Sequence, residues 1–136
     1  MLRARSRQED LEQARELLQL VGLDGQAQQP ADALGHGGQK QLEVAMALGG
    51  RPRVLLLDEP TSGLTEHERV SLGDLLRRVG RKATILMAEH DVEFVRRVAT
   101  RVTALSLGRK LAEGTAAEVF QHPEVRQVFL RAGDDA

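Results

Sequence analysis

The sequence predicts an α/β domain, a parallel sheet flanked by helices with a helical segment ahead of it. Three observations carry the prediction. Val54-Leu55-Leu56-Leu57 is an unbroken apolar run that closes on Asp58-Glu59-Pro60, and a second such run lies inside TILMAEH, Thr84 to His90. Between them Leu72, Leu75, Leu76 and Val79 recur at helical spacing. Apolar runs without alternation are strands covered on both faces, which is the habit of parallel sheets. A strand, helix and strand in this order form a βαβ unit with a right-handed crossover, here over 54–88.

Composition sets the outer limits. The chain has 136 residues, 41% hydrophobic and 29% charged, enough to bury roughly two-thirds of the unfolded surface without a covalent staple. With no cysteine, disulfides, thiolate metal sites and thiol nucleophiles are excluded. No apolar run approaches the ~20 residues that span a bilayer, and no signal-peptide pattern opens the sequence. A formal charge of -1 and only three aromatics, Phe94, Phe120 and Phe129, argue against a nucleic-acid partner, which needs excess positive charge and stacking surfaces.

The elements follow in order. Arg3, Arg5 and Arg7 read as a solvated lead-in, an anion-binding arm being the alternative. Ser6 and Glu9 form a capping box, and Leu11, Ala14, Leu18 and Val21 give a helix over about 7–21 that Gly22 ends in a left-handed cap. Residues 23–37 are loop-like by their Gly, Pro and Asp content. A second helix is expected from about 38 to 48, burying Leu42, Ala45 and Met46. Thr65 and Glu68 make another capping box, and Gly80 stops the helix it opens. Asp91 caps a short helix carrying Val92, Val95 and Val98. Val102–Leu107 reads as a strand that Gly108-Arg109 turns back through Lys110–Glu113. Thr115 with Glu118 repeats the capping box, and Pro123 suits the first turn of a last helix ending near Leu130. Residues 1–50 look helical and 51–136 α/β, so two subdomains are expected.

Two stretches carry chemistry. A buried parallel strand delivers its C-terminal residues to the crevice where α/β sheets bind ligands. Adjacent carboxylates there, Asp58 and Glu59, can divide the labour: Asp58 holds the shell of a magnesium ion, and Glu59 orients or deprotonates a water attacking a phosphoryl group. An ordinary acidic strand end is the simpler alternative. His90 closes the next strand at the same edge, placed for phosphate contact. Zinc is not indicated, because His36, His67, His90 and His122 lack paired ligand spacing. The second stretch is Leu34-Gly35-His36-Gly37-Gly38-Gln39, glycines ahead of a helix whose backbone N–H groups can meet an anion; a flexible loop before a cap remains the alternative.

In this order the pieces resemble the nucleotide-binding domain of ABC transporters. LGHGGQKQLEVAMAL is similar to the signature motif and its helix, VLLLDEP to the Walker B strand with the catalytic glutamate at Glu59, TSGLT to the D-loop (Ser62, Gly63, Leu64, Thr65), and ILMAEHD to the switch-histidine region at His90. The tail GRKLAEGTAAEVFQHPEVRQVFL resembles the C-terminal extension of the branched-chain amino acid importers and their urea-uptake relatives. Three departures accompany the likeness. The Walker A pattern G-x-x-x-x-G-K-[ST] does not occur within the 136 residues, so the resemblance is to the second half of a P-loop NTPase-like core, with the Walker A strand absent and the end of the helical subdomain in front. In the ungapped register of L-S-G-G-Q, Gly35 replaces the serine and Gly38 the glutamine; a shift by one residue aligns His36-Gly37-Gly38-Gln39 instead. Thr65 replaces the D-loop aspartate.

The resemblance implies an ATP-binding subunit of an importer for branched-chain amino acids, urea or a similar small polar solute. ATP and Mg2+ would be its cofactors once a Walker A half is supplied, and this chain alone would be inactive. Its partners would be a second nucleotide-binding domain in a head-to-tail dimer, transmembrane permease subunits and, indirectly, a solute-binding protein. Its place would be the cytoplasmic face of the membrane. Asp58 would assist magnesium, through water, Glu59 polarise water, His90 touch the γ-phosphate, and Gly35–Gly38 complete the opposite site. The other class of reading is a non-catalytic module that docks on a complete ABC ATPase through its signature face. A soluble ABC-type ATPase of DNA repair or translation is disfavoured by the missing coiled coil and basic patch. Without the Walker A strand, the strand at 84–89 should be separated from the one at 102–107, leaving apolar surface exposed unless the strands re-pair or another chain fills the gap.

Overall fold

The computed structural model describes residues 7–130, which form two compact units, one ending at Glu89 and the next beginning at His90. This partition differs from the compositional boundary at residue 50. Ser6, Arg3 and Arg5 lie outside the described residues, so the first expected capping box does too.

The first unit runs α1 (Arg7–Val21), two single 3-10 turns, α2 (His36–Gly49), β1 (Val54–Asp58), α3 (Glu66–Val79) and β2 (Thr84–Ala88). Gly22 ends α1 at φ 78°, as the left-handed cap requires. The apolar stripe of α1 is covered only at its C-terminal end: Val21 is buried while Leu11 and Ala14 are exposed. Helices α1 and α2 pack together, and the side-chain amide of Gln13 donates to the Gly49 carbonyl at 2.7 Å, satisfying an orphan acceptor at the end of α2. Arg78 of α3 donates likewise to the Leu20 carbonyl of α1 at 3.2 Å.

Helix α2 starts two residues ahead of the expected position, so Gly37 and Gly38 lie in its first turn rather than in a loop. Its buried residues are Gly37, Val44 and Ala45, and Met46 is 72% exposed, not in the core. The βαβ unit forms as the pattern predicts. β1 and β2 are parallel, with Val54 opposite Thr84 and Asp58 opposite Ala88, and α3 between them buries Leu72, Leu75, Leu76 and Val79. The Thr65–Glu68 capping box is complete. Gly80 caps α3 in the right-handed region, φ -60°, so the helix ends there without the left-handed turn glycine often supplies.

The expected coverage of β1 on both faces also fails. The apolar run of β1 is covered on one face only: Leu55 is 4% exposed, but Leu56 and its cross-strand partner Leu86 are 68% and 66% exposed. An apolar run shows that both faces can be buried; among the described residues of the first unit, helices cover just one. β1 and β2 form one sheet and the last two strands another, so the segments at 84–88 and 102–106 do not pair.

The second unit contains α4 (Val92–Val98), β3 (Val102–Ser106), β4 (Arg109–Gly114), α5 (Ala116–Gln121) and α6 (Pro123–Val125), which continues as a π turn over Arg126–Leu130. Asp91 caps α4, its carboxylate accepting the Phe94 N–H at 2.9 Å. β3 and β4 are an antiparallel hairpin closed by Leu107 and Gly108 at φ 48° and 74°, the two positive values that tight hairpins use. The hairpin packs on α5 and α6 through a small core of Ala104, Val119, Phe120 and Val125, with the Arg96 guanidinium 4.9 Å from the Phe120 ring centre. The Thr115–Glu118 capping box and Pro123 in the first turn of α6 both form.

Candidate functional site

Because β1 and β2 are parallel and in register, their C-terminal ends lie at one edge, and the segment 59–65 leaves from it. Asp58 is the last residue of β1 and is exposed. An open groove between α2 and β1 runs past Lys40, Glu43, Ala47 and Leu56 to Asp58. Glu59 sits at φ 43°, in the left-handed region that a non-glycine residue occupies at a cost. Its N–H donates to the Ala88 carbonyl at 2.9 Å and its carbonyl accepts from Ser62 N–H at 3.0 Å, so both sides of the strained peptide are fixed.

Two further ties hold the segment. Thr61 is 5% exposed, and its N–H and hydroxyl both donate to one carboxylate oxygen of Glu89, at 2.8 and 2.5 Å. Such charge-assisted bonds are the stronger kind. Gly63 turns the chain at φ 76°, Leu64 is buried as an anchor, and Ser62 and Gly63 are exposed. Thr65 then caps α3. Of the D-loop stretch, Ser62 and Gly63 face solvent while Leu64 and Thr65 serve the fold.

The glycine-rich stretch places Gly35 as the N-cap of α2, at φ -64° and ψ 168°, with no side chain to accept a first-turn N–H. A serine in that position would cap a helix. The first intrahelical bond runs from Gln39 N–H to the Gly35 carbonyl, 2.9 Å. The Gly37 N–H is taken by Glu68 of α3, whose Oε1 accepts it at 3.0 Å. A Cβ at Gly37 would come 2.6 Å from that oxygen, so a larger residue there would displace the Glu68 side chain from this contact. The Glu68 carboxyl is held below its ordinary value, first by the Thr65 N–H, then by the Thr65 hydroxyl, then by Gly37.

Glu68 and Glu89 are the site-building residues that sequence reasoning missed. The capping box announces Glu68, but not its reach to Gly37, and nothing local announces the bond of Glu89 to Thr61. His90 opens the second unit and is exposed.

The donor set bears on magnesium. Among the described residues, no group of three His, Cys, Asp or Glu could hold a metal ion. A single exposed carboxylate at Asp58 fits the habit of Mg2+ at nucleotide sites, where one or two carboxylates join substrate phosphates and water.

The parallel βαβ unit thus delivers an acid pair to its edge, and a separate helix opens on glycines. Residues 2–62 match the ABC transporter family. The chain is 34% identical over 128 residues to the high-affinity branched-chain amino acid transport ATP-binding protein LivG of Salmonella typhimurium, covering 93% of this chain and 50% of that protein. It is 41% identical over 118 residues to the methionine import ATP-binding protein MetN of Rhizobium etli, covering 85% and 33%. Among solved structures, cbiO1 from Clostridium perfringens, part of the ABC transporter complex cbiONQ, superposes with TM-score 0.81 at 27% identity, covering 96% of this chain and 55% of that one. An ATP-binding cassette of an ABC transporter in its ADP conformation gives TM-score 0.82 at 22% identity and shows the same fold. The chain thus spans about half the length of the LivG protein it matches.

Proposed function

We propose that the protein serves as part of the ATP-binding subunit of an ABC importer, coupling ATP hydrolysis to uptake of an amino acid or similar small polar solute. The observation that supports this best is Glu59: a carboxylate held in strained backbone at the mouth of a parallel strand, next to Asp58, its peptide pinned on both sides. In this reading Glu59 accepts a proton from, or orients, the attacking water, and Asp58 helps hold magnesium on the nucleotide phosphates. His90 meets the γ-phosphate, and the α2 N-terminus from Gly35 to Gly38 faces the nucleotide of a second domain docked head to tail. Bound nucleotide and magnesium would supply the phosphoryl group and its charge neutralisation; this chain's own contribution is to position water, metal and phosphate. The relatives named for branched-chain amino acid and methionine import favour amino acids as the solute class, with urea an alternative. Permease subunits and a solute-binding protein complete the proposed assembly. Among the described residues no helix is long and apolar enough to cross a membrane; the proposed place is peripheral, on the permease at the cytoplasmic face.

A second reading, a non-catalytic module that docks on a complete ABC ATPase, is favoured by the bare face of the β1–β2 sheet, which offers Leu56 and Leu86 to a covering partner.

One experiment separates them. The chain is supplied with a Walker A-bearing N-terminal half from a relative, and phosphate release from Mg-ATP is followed. Turnover is expected, and Glu59→Gln should lower it by about 10²–10⁴-fold while nucleotide stays bound. Unaltered turnover in Glu59→Gln would overturn the role of Glu59; no turnover in any combination would favour the docking module.

A further inference from the structure

The N-terminus of α2 lacks its own cap. Gly35 occupies the N-cap position, where serine, threonine, asparagine or aspartate would accept a first-turn N–H. An uncapped first turn leaves donors that must find other acceptors. The acceptor comes from another helix: Oε1 of Glu68 takes the Gly37 N–H at 3.0 Å. The other oxygen of the same carboxylate, Oε2, accepts the Thr65 N–H at 2.8 Å and the Thr65 hydroxyl at 2.7 Å. One side chain therefore caps two helices at once, its own α3 and its neighbour α2.

We propose that Glu68 is a positioning residue that replaces the missing cap of α2 and ties the turn at Gly35–Gly38 to the start of α3. The two segments that flank the acid pair on either side are thereby held to one carboxylate, 31 residues from its partner glycine. The contact as it stands depends on glycine at 37, since a Cβ there would displace the Glu68 side chain. The bond also leaves one fewer free N–H at the N-terminus of α2 for any arriving anion. Gly35, in contrast, has open space around a would-be Cβ and an ordinary φ, so a serine is tolerated there and can supply the cap locally. These relations lie within the first unit and hold independently of the nucleotide reading.

The test is an acid titration of the intact chain followed by the amide signals of Gly37 and Thr65 in ¹H–¹⁵N spectra. The charged neighbours that face the carboxylate are few: His36 on α2 favours its ionised form. Both amides are expected to follow one shared midpoint, displaced to the acid side of ordinary glutamates. Glu68→Gln, which keeps the shape and removes the charge, should abolish that midpoint at both amides. It should also raise hydrogen exchange at Gly37 about tenfold. Adding Gly35→Ser to Glu68→Gln should restore protection in the first turn of α2 but leave Thr65 unchanged. If the Gly37 amide ignores the titration, or follows a different midpoint from Thr65, the shared cap is refuted. It is equally refuted if Gly35→Ser leaves exchange at Gly37 as fast as in Glu68→Gln alone.

Discussion

Two leucines of the βαβ unit provide a direct measure of where burial ends. Leu75 on α3 is 0% exposed and Leu56 on β1 is 68% exposed. Truncating Leu75 to alanine removes buried methyl groups and leaves a cavity, and such changes cost about 2.7–5 kcal/mol. Leu56 keeps only a third of its surface from water. A full leucine burial is worth roughly 1.5–3 kcal/mol, so Leu56→Ala should cost about 0.5–1 kcal/mol. The expected ratio between the two variants is therefore several-fold. Urea unfolding of each variant, with the parent chain beside it, gives both values from the midpoints if the slopes agree. Repeating the series across a hundredfold range of protein concentration adds the decisive comparison. Exposed apolar area invites association, so Leu56→Ala should lose additional stability only at high concentration, while the Leu75→Ala deficit stays constant. If Leu56→Ala costs as much as Leu75→Ala in dilute solution, the face is covered within the monomer and the one-sided sheet is wrong.

Other outcomes follow from the caps and the hairpin. The Glu118 carboxyl is held below its ordinary value by the Thr115 N–H and then the Thr115 hydroxyl. A lowered carboxyl stabilises the fold above the ordinary carboxylate range, and that support is lost as pH falls through the depressed value. Thr115→Ala should cost about 1 kcal/mol at neutral pH; Glu118→Gln, which removes the titrating group, should flatten the acid-side decline in thermal melts, and an unchanged acid limb in that variant would refute the linkage. Leu107 is 99% exposed at φ 48° and contributes no packing. Leu107→Asn, which suits left-handed backbone, should gain roughly 0.5–1 kcal/mol in urea unfolding, and a loss would show that the turn is not of this kind.

What the sequence reveals and what it conceals divide by range. The capping boxes at Thr65 and Thr115, the cap at Asp91 and the parallel strand pair are legible because each depends on neighbours a few residues apart. The start of α2 falls ahead of its expected place because glycines read as loop. The first-turn N–H groups have no intrahelical acceptor, and the one that meets Gly37, Glu68, lies 31 residues away in sequence. Met46 is expected in the core and found outside it because helical spacing gives a stripe, not the identity of what meets it. The exposure of Leu56 is hidden for the same reason: an apolar run states what could be buried, and coverage depends on elements elsewhere. In the site, Asp58 and Glu59 are visible as a strand end. The bond of Glu89 to Thr61 is not, since it spans 28 residues and no pattern joins them.

The left-handed backbone at Glu59 bears on how this chain would respond to selection. Glycine is the residue that occupies such a conformation without steric penalty, so Glu59→Gly relieves the conformation at the end of β1 and is expected to raise resistance to heat. Any campaign that ranked variants by melting temperature alone would drift toward glycine at this position and erase the acid it was meant to preserve. In the reading proposed above, robustness and chemistry pull in opposite directions at Glu59, and a library built on this scaffold is best held fixed there.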